Sequence, residues 1–146
     1  MSKRWFVVFG LMLAILCAGP TRVVLSLEQV MPAEEAMLVD VAKEWMGLLD
    51  KGKYDESWDK AGALFRSGVK DKWVGMISSA RIRSGPMVSR RLLEKYFVET
   101  LPGAPVGEYY TLIFATAFAG NASCIEMVNM SKDPEGKWRV AGYTMK

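Results

Sequence analysis

The order and the period of the apolar residues predict an α+β domain, in which three N-terminal helices pack on a curved, four-stranded antiparallel sheet. Up to residue 84, apolar residues recur every three or four positions, as they do on one face of a helix. From residue 88 onward, strand-length segments rich in β-branched and aromatic residues are separated by glycine and proline turns. Helices that all precede the strands usually lie on one face of the sheet.

The first helix is predicted over residues 33–50, and it ends in a tight corner at residues 44–58. Its core face is expected to contain Met37, Val41, Trp45 and either Leu48 or Leu49. Gly52 follows the last of these residues and can adopt the left-handed conformation that closes a helix. Lys51 and Lys53 suit the negative end of the helix dipole.

A second helix is predicted to begin at Tyr54, because Asp55 and Glu56 favour a first turn. Its apolar residues at helical spacing are Trp58, Ala61 and Phe65. A third helix fits residues 70–83 and is stopped by the sequence Ser-Gly-Pro at 84–86. Its core face is expected to contain Trp73, Met76, Ile77 and Ala80.

Four strands are predicted at residues 88–98, 108–118, 122–130 and 137–145. The first two are joined by a wide turn at 102–107, the next two by a tight turn at 120–121, and the last two by a hairpin loop at 133–136. Strands joined by such short connections must run antiparallel.

The second strand has apolar side chains on both faces. One face contains Tyr110, Leu112, Phe114 and Phe118, and the other contains Tyr109, Thr111, Ile113, Ala115 and Ala117. In a sheet with one face exposed to solvent, apolar and polar residues would alternate more regularly along the strand. Two explanations are open: an isologous homodimer covers the second face, or strong curvature leaves Tyr109 and Thr111 lining an internal pocket.

The N-terminus predicts a signal peptide over residues 1–26, followed by one domain over residues 27–146. Lys3 and Arg4 precede an apolar run at 5–18 that is too short to span a bilayer comfortably. Cleavage is expected after Ser26, with a site near Ala18 or an uncleaved anchor as alternatives. The mature protein would then be periplasmic or secreted, with no membrane span.

The charge balance argues against a nucleic-acid partner. The whole chain has 19 lysines and arginines and 16 acids, but three of the cations and none of the acids precede residue 27, so the mature domain is formally neutral. Residues 28–59 contain nine acids and three cations, and residues 60–95 contain nine cations and two acids. We expect these two regions to attract each other.

The chain contains no histidine, which excludes the common catalytic triads and zinc sites. No metal, cofactor or catalytic residue is therefore predicted. Removal of the signal peptide takes away Cys17, and Cys124 is left as a single thiol that is either buried and inert or redox-active.

The remaining candidate site residues are charged or aromatic. Asp50, Glu108 and Glu126 could act as a carboxylate base in an apolar cavity, or they are caps and edge residues. Candidates for binding an anion or another ligand are Arg81, Arg83, Arg90, Arg91 and Tyr109. The arginines could instead pair with the acidic first helices. The tryptophans at 45, 58, 73 and 138 could line a ligand pocket, although helical spacing favours a core role.

A wider pattern of residues resembles a known family. Its core signature consists of Trp45, Asp50, Gly52, Tyr54, Trp58, Trp138, Gly142 and Tyr143. The pattern also includes Trp73, Arg81, Arg90, the turn at 101–107, Tyr109 and Glu126. It is similar to the exported bacterial family called domain of unknown function 4019, from which the chain departs at Cys124. The resemblance implies a cone-shaped fold like those of nuclear transport factor two and the cystatins, and no assigned activity.

Two functional hypotheses follow. The sequence favours a non-catalytic module that binds an envelope protein or a small molecule. The alternative is a histidine-free enzyme that acts on a small molecule in the cavity of the cone. A buried carboxylate facing an open pocket would favour the enzyme, and a cavity closed by side chains would favour the interaction module.

Overall fold

The computed structural model describes residues 31–146, so the predicted signal peptide, its cleavage site and Cys17 lie outside the described residues. The helices are α1 (Met31–Asp50), α2 (Tyr54–Lys60) and α3 (Lys70–Ser84), with a single 3-10 turn at Phe65–Ser67. The strands are β1 (Met87–Val98), β2 (Tyr109–Phe118), β3 (Asn121–Lys132) and β4 (Trp138–Met145). The predicted α+β class and order of elements are confirmed.

The four strands form one antiparallel sheet in the order β1-β2-β3-β4. Each of the three strand pairs contains a register shift, including one on β1 where Leu93 has no partner on β2. Such bulges bend the strand and increase its twist, which supplies the predicted curvature. The helices lie on one face of the sheet, with α1 over β3 and β4.

The corner between α1 and α2 is held by hydrogen bonds to buried groups. Gly52 adopts a φ of 72°, and the amide of Lys53 donates to the carbonyl of Leu48 at 2.8 Å, which satisfies a terminal carbonyl of α1. Nε1 of Trp45 then crosses the corner to the carbonyl of Ser57 at 2.7 Å. The two helices are thus fixed to each other at one buried point.

The predicted core faces of α1 and α3 need correction. Met37 is 53% exposed and Met76 is 58% exposed. The buried stripe of α1 lies one position further round and contains Leu38, Ala42, Trp45, Met46 and Leu49. On α3 the stripe continues from Trp73 and Ile77 to Arg81, because an acidic partner on the sheet makes a charged residue acceptable at a core position.

The second helix is also shorter than predicted. It ends at Lys60, and Phe65 belongs to the separate 3-10 turn. Gly62 follows the helix and donates its backbone N–H to the carbonyl of Val140 at 2.8 Å. A continuing helix could not make this bond to β4, so a tertiary hydrogen bond replaces the predicted last turn.

The two faces of the sheet differ in how they are covered. The helix-facing side buries Tyr110, Leu112, Phe114 and Phe118 of β2, as predicted. On the other side Tyr109 and Thr111 are also buried, since the hydroxyl of Tyr109 bonds to Pro105 in the preceding loop and Thr111 bonds to Asn129. Beyond them, no helix within residues 31–146 covers this outer face, where Ile125 is 40% exposed.

None of the helices within residues 31–146 has the length and apolar character needed to cross a bilayer.

Candidate functional site

Four charged side chains meet between the helices and the sheet, and we call them the charged ring: Asp50, Arg81, Arg90 and Glu126. Arg81 donates from Nη1 to Asp50 Oδ1 at 2.9 Å and from Nη2 to Glu126 Oε1 at 2.8 Å. Arg90 donates to the same two acids, from Nη1 to Asp50 Oδ2 at 2.7 Å and from Nε to Glu126 Oε2 at 2.6 Å. The signs alternate around a closed cycle, so the ring is formally neutral.

Each member of the ring comes from a different element. Asp50 is the last residue of α1, and the glycine corner ends the helix there. Arg81 lies on the buried stripe of α3. Arg90 is opposite Thr116 in the β1–β2 register, and Glu126 shares the helix-facing side of β3 with Val128 and Met130. The ring therefore ties four elements together at one place.

The ring is buried at Glu126 and Arg81 and reaches the surface at Asp50 and Arg90. The exposed fraction of the side chain is 0% for Glu126, 5% for Arg81, 8% for Arg90 and 16% for Asp50. Burial of charged groups is costly unless they are paired and hydrogen-bonded. The alternating cycle provides that pairing for all four groups.

Two neutral hydroxyls complete the hydrogen bonding of Glu126. Tyr143 donates to Oε1 at 2.6 Å, and Thr116 donates to Oε2. Since Arg81 and Arg90 donate to the same two oxygens, Glu126 accepts four hydrogen bonds, which is close to the full capacity of a carboxylate. Nε of Arg81 has no hydrogen-bond partner among residues 31–146, and the guanidinium carbon lies 4.7 Å from the centre of the Phe118 ring.

The electrostatics of the ring shift the pKa values of Arg90 and of the neighbouring Tyr143. Burial alone would lower the pKa of Arg90, but the hydrogen bonds and charges of Asp50 and Glu126 raise it above its ordinary value. Burial, reinforced by the charge of Glu126, raises the pKa of the Tyr143 hydroxyl well above 10.0. Tyr143 therefore stays a neutral donor at all ordinary pH values.

Beside the ring, the mainly aliphatic core contains an aromatic cluster, which consists of Trp45, Phe65, Trp73 and Tyr143. The ring centroids of Phe65 and Trp73 are 4.8 Å apart in an edge-to-face arrangement, and those of Trp45 and Tyr143 are 5.6 Å apart. Ser57, which is fully buried, accepts the indole N–H of Trp73 on its hydroxyl at 3.1 Å. The space between helices and sheet is thus filled by side chains, apart from an opening of about 130 Å³ between α1 and β4 that is lined by Val41, Leu48 and Arg139. This volume is smaller than that of a usual ligand pocket.

Larger clefts are found at the surface. One of about 470 Å³ lies between the end of α2, the loop before β2 and the β3–β4 hairpin, and its walls include Leu64, Tyr109 and Arg139. Another, of about 350 Å³, lies beside Trp138 and includes Glu34, Phe97 and Lys132. Neither cleft is lined by a member of the charged ring.

The structure separates the predicted arginine group. Arg81 and Arg90 meet in the ring, and they pair with Asp50 of the acidic first helix as the alternative reading expected. Arg83 and Arg91 are exposed, and neither forms an ion pair within residues 31–146. Tyr109 lies at the surface cleft, far along β2 from Thr116 at the ring.

The other candidates lie in three different settings. The Glu108 side chain is 67% exposed, with Lys132 Nζ at 3.9 Å. Asp50 and Glu126 are both held by arginines. Cys124 is 2% exposed, and burial raises the pKa of its thiol, so little reactive thiolate forms at neutral pH.

Sequence reasoning missed how Tyr143, Thr116 and Ser57 act. The sequence did contain a signal for the ring. Glu126 belongs to the every-second-residue series of Cys124, Val128 and Met130, so an acid occupies a position on β3 where an apolar residue is expected. Within residues 31–146, no group of three or more acidic or cysteine side chains is arranged to hold a metal ion.

The chain was compared with known families and structures. A family model described as a protein of unknown function, DUF4019, matches residues 41–143. A 2.5 Å structure of a protein from Catenulispora acidiphila is similar, with a TM-score of 0.52 and 15% identity over 81% of this chain and 94% of the other. At this identity the likeness shows the fold alone. No curated protein matches. Because the family model spans most of the chain and includes every member of the charged ring, the chain belongs to the DUF4019 family.

Proposed function

We propose that this domain is a non-catalytic protein-interaction module of the bacterial cell envelope. The observation that carries the proposal is the filled interior. The apolar core and the charged ring, whose charges cancel, occupy the space that would otherwise hold a substrate. A closed cavity favours recognition by the outer surface.

The state of the buried carboxylates supports a role without catalysis. A general base needs a free lone pair within hydrogen-bond reach of the proton that it removes. Both oxygens of Glu126 are occupied by four donors, and both oxygens of Asp50 accept from arginine. Either acid would have to give up a buried ion pair before it could accept a proton.

The outer face of the sheet is the surface that we assign to the interaction. Ile125 is 40% exposed there, and Ile113 and Met127 are half-buried beside it in the β2–β3 register. Ala115, Ala117 and Ile125 line a groove of about 270 Å³, whose polar lining includes Arg90 and Arg91. Contiguous apolar surface with a polar rim is typical of a protein-binding patch.

A second candidate function is the binding of a small molecule in the 470 Å³ cleft. Its walls are mostly apolar, with Tyr109, Lys132 and Arg139 among the polar groups. A concave, largely apolar site with a few polar groups is the usual form of a ligand pocket.

The location in the envelope rests on the predicted signal peptide. N-terminal sequencing of the protein isolated from the envelope fraction should begin near Leu27. A protein that retains Met1 in the membrane pellet would instead support an uncleaved anchor.

The interaction face is tested with two matched variants. Ile125→Lys places a charge on the outer face, and Ile82→Lys places the same charge on α3 at a residue that is 78% exposed and away from that face. After chemical crosslinking in the envelope fraction, specific partners should be captured by the wild type and by Ile82→Lys, and lost with Ile125→Lys. Identical capture by all three proteins would contradict the assigned face. Mass spectrometry of small molecules released from the purified protein tests the second candidate.

A further inference from the structure

The two edge strands of the sheet are protected very differently. On β4, the carbonyl of Val140 accepts the amide of Gly62 from the end of α2, so part of this edge is already covered. On β1, no helix or strand within residues 31–146 lies along the free edge. Such an edge has unpaired backbone groups that can bond to another strand.

The open edge is also long and apolar. β1 extends over 12 residues, against 8 for β4. Its exposed apolar side chains include Val88 at 68%, Phe97 at 47%, Tyr96 at 42% and Leu93 at 40%. Long edge strands with exposed apolar residues are sites of pairing with another chain.

The pattern of β1 is self-complementary about its bulge. Because Leu93 is the extra residue, Arg91 and Glu94 both lie on the outer face, opposite Ala115 and Ile113 of β2. Both are exposed, and neither forms an ion pair in the part of the chain that the structure describes. An antiparallel pair of β1 strands centred on Leu92 places each Arg91 opposite the partner's Glu94.

We infer that β1 pairs with β1 of a second copy in this register, forming an isologous dimer with a continuous eight-stranded sheet. Two-fold symmetry creates the Arg91–Glu94 pair twice, and cross-strand pairs of opposite charge stabilise a sheet. The interface brings Ser89 opposite the partner's Tyr96, and it brings Val88 close to the partner's Phe97.

The charges select this register over its neighbours. A shift that keeps each side chain on its own face moves the pairing by two residues. In one direction Arg91 then lies opposite the partner's Arg91, and in the other direction Glu94 lies opposite the partner's Glu94. Like charges directly opposite each other are destabilising, so both shifted dimers are disfavoured.

On the helix-facing side of this register, the two opposing cations are each paired with acids of their own copy. Arg90 lies opposite the partner's Lys95, which would bring two cations together. Arg90 is already bonded to Asp50 and Glu126, and Lys95 is bonded to Glu35 of α1. The two cations therefore meet as parts of neutral groups.

The test is a charge exchange at the two outer-face residues. Light scattering of the full-length protein at micromolar concentration should give the mass of two chains. Arg91→Glu and Glu94→Arg should each weaken dimerisation by roughly tenfold or more, since each creates two like-charge pairs. The double variant, Arg91→Glu with Glu94→Arg, restores opposite charges and should restore the dimer.

Three results would overturn the inference: a mass of one chain at every concentration, single variants that dimerise like the wild type, or a double variant as weak as the singles. Both residues are exposed, so circular dichroism should show that all variants fold. Arg91 and Glu94 lie on the outer face, and Arg91 lines the same groove as Ile125, so the double variant separates the two surfaces. Only β1–β1 pairing places Arg91 opposite the partner's Glu94 and is restored by the double variant, whereas a dimer through the outer face would be weakened by Ile125→Lys. If Ile125→Lys loses its captured partners but still forms the dimer, the partner-binding surface and the dimer interface are different surfaces.

Discussion

The aromatic cluster and the charged ring lie side by side in the same interior and are held together by different forces. Tyr143 belongs to both, because its ring lies 5.6 Å from that of Trp45 while its hydroxyl donates to Glu126 at 2.6 Å. The aromatic side excludes water through contact area. The charged side excludes water only because every charge has a partner of opposite sign.

This difference separates stability from positioning. Burial of aromatic surface is favourable in many similar packing arrangements, because the hydrophobic effect depends on the buried area and not on the orientation of the groups. An ion pair in a dry interior tolerates much less movement, because a displaced partner leaves a buried charge unpaired. We therefore expect the apolar core, which includes the aromatic cluster, to supply most of the stability, and the ring to fix how α1, α3, β1 and β3 meet.

The largest effect is expected at Trp58, which packs against the aromatic cluster through Phe65. Trp58 is 9% exposed, and its ring centroid lies 5.7 Å from that of Phe65. Trp58→Ala should lower the free energy of unfolding by about 3 to 5 kcal/mol, because it leaves a cavity beside the corner. Urea unfolding followed by circular dichroism measures the change.

The control for this substitution is Ile82→Ala at a residue that is 78% exposed, where a change within about 0.5 kcal/mol is expected. A loss below about 1 kcal/mol for Trp58→Ala would show that the corner does not organise the fold.

The second effect is expected in the ring. Glu126→Gln keeps the shape of the side chain but removes its charge, and it presents an amide N–H₂ where two donors need an acceptor. The two arginines would then share one acid. We expect a loss of roughly 2 to 4 kcal/mol in the free energy of unfolding, since breaking a buried ion pair leaves an uncompensated charge.

A double-mutant cycle with Arg81→Met separates the ring from simple packing. Arg81→Met with Glu126→Gln removes one cation and one acid, so the ring is neutral again. The double variant should be more stable than the sum of the two single changes predicts, by about 1 kcal/mol or more. Strict additivity would mean that the ring does not act as a unit.

The sequence predicted the order and type of the elements better than the orientation of each one. Gly52 and Gly85 mark helix ends that the structure confirms, both with positive φ. The face of α1 was wrong at Met37, because a spacing of three and four residues fits two adjacent stripes of a helix equally well. Only contact with β3 and β4 selects the stripe through Leu38.

The charged ring could not be assembled from local patterns. Asp50 and Arg90 are 40 residues apart in the chain, and Arg81 and Glu126 are 45 apart. The charge asymmetry between residues 28–59 and 60–95 did predict that arginines would meet the acidic first helices. It gave no reason to choose Arg81 and Arg90 over Arg83 and Arg91, since that choice depends on which faces of α3 and β1 point inward.

The smallest effect is expected at a half-exposed ion pair beside the core, and it depends on pH. Glu34 accepts from Lys132 at 2.8 Å and from the indole of Trp138 at 3.0 Å. These two hydrogen bonds lower the pKa of Glu34 below its ordinary value of 4.5. The folded state therefore holds the proton of Glu34 less tightly than the unfolded state does. The stabilisation is complete above pH 4.5 and is lost as the pH falls through the folded pKa.

Glu34→Gln should lower the free energy of unfolding by less than about 1 kcal/mol at neutral pH, because the side chains of Glu34 and Lys132 are both 36% exposed and solvent screens the pair. The difference from the wild type should shrink below pH 4.5. The control is Glu99→Gln at an exposed residue, which should change the free energy of unfolding at neutral pH by less than about 0.5 kcal/mol. A difference for Glu34→Gln that stays constant from neutral pH into acid would mean that the charge of Glu34 does not contribute to the stability of the fold.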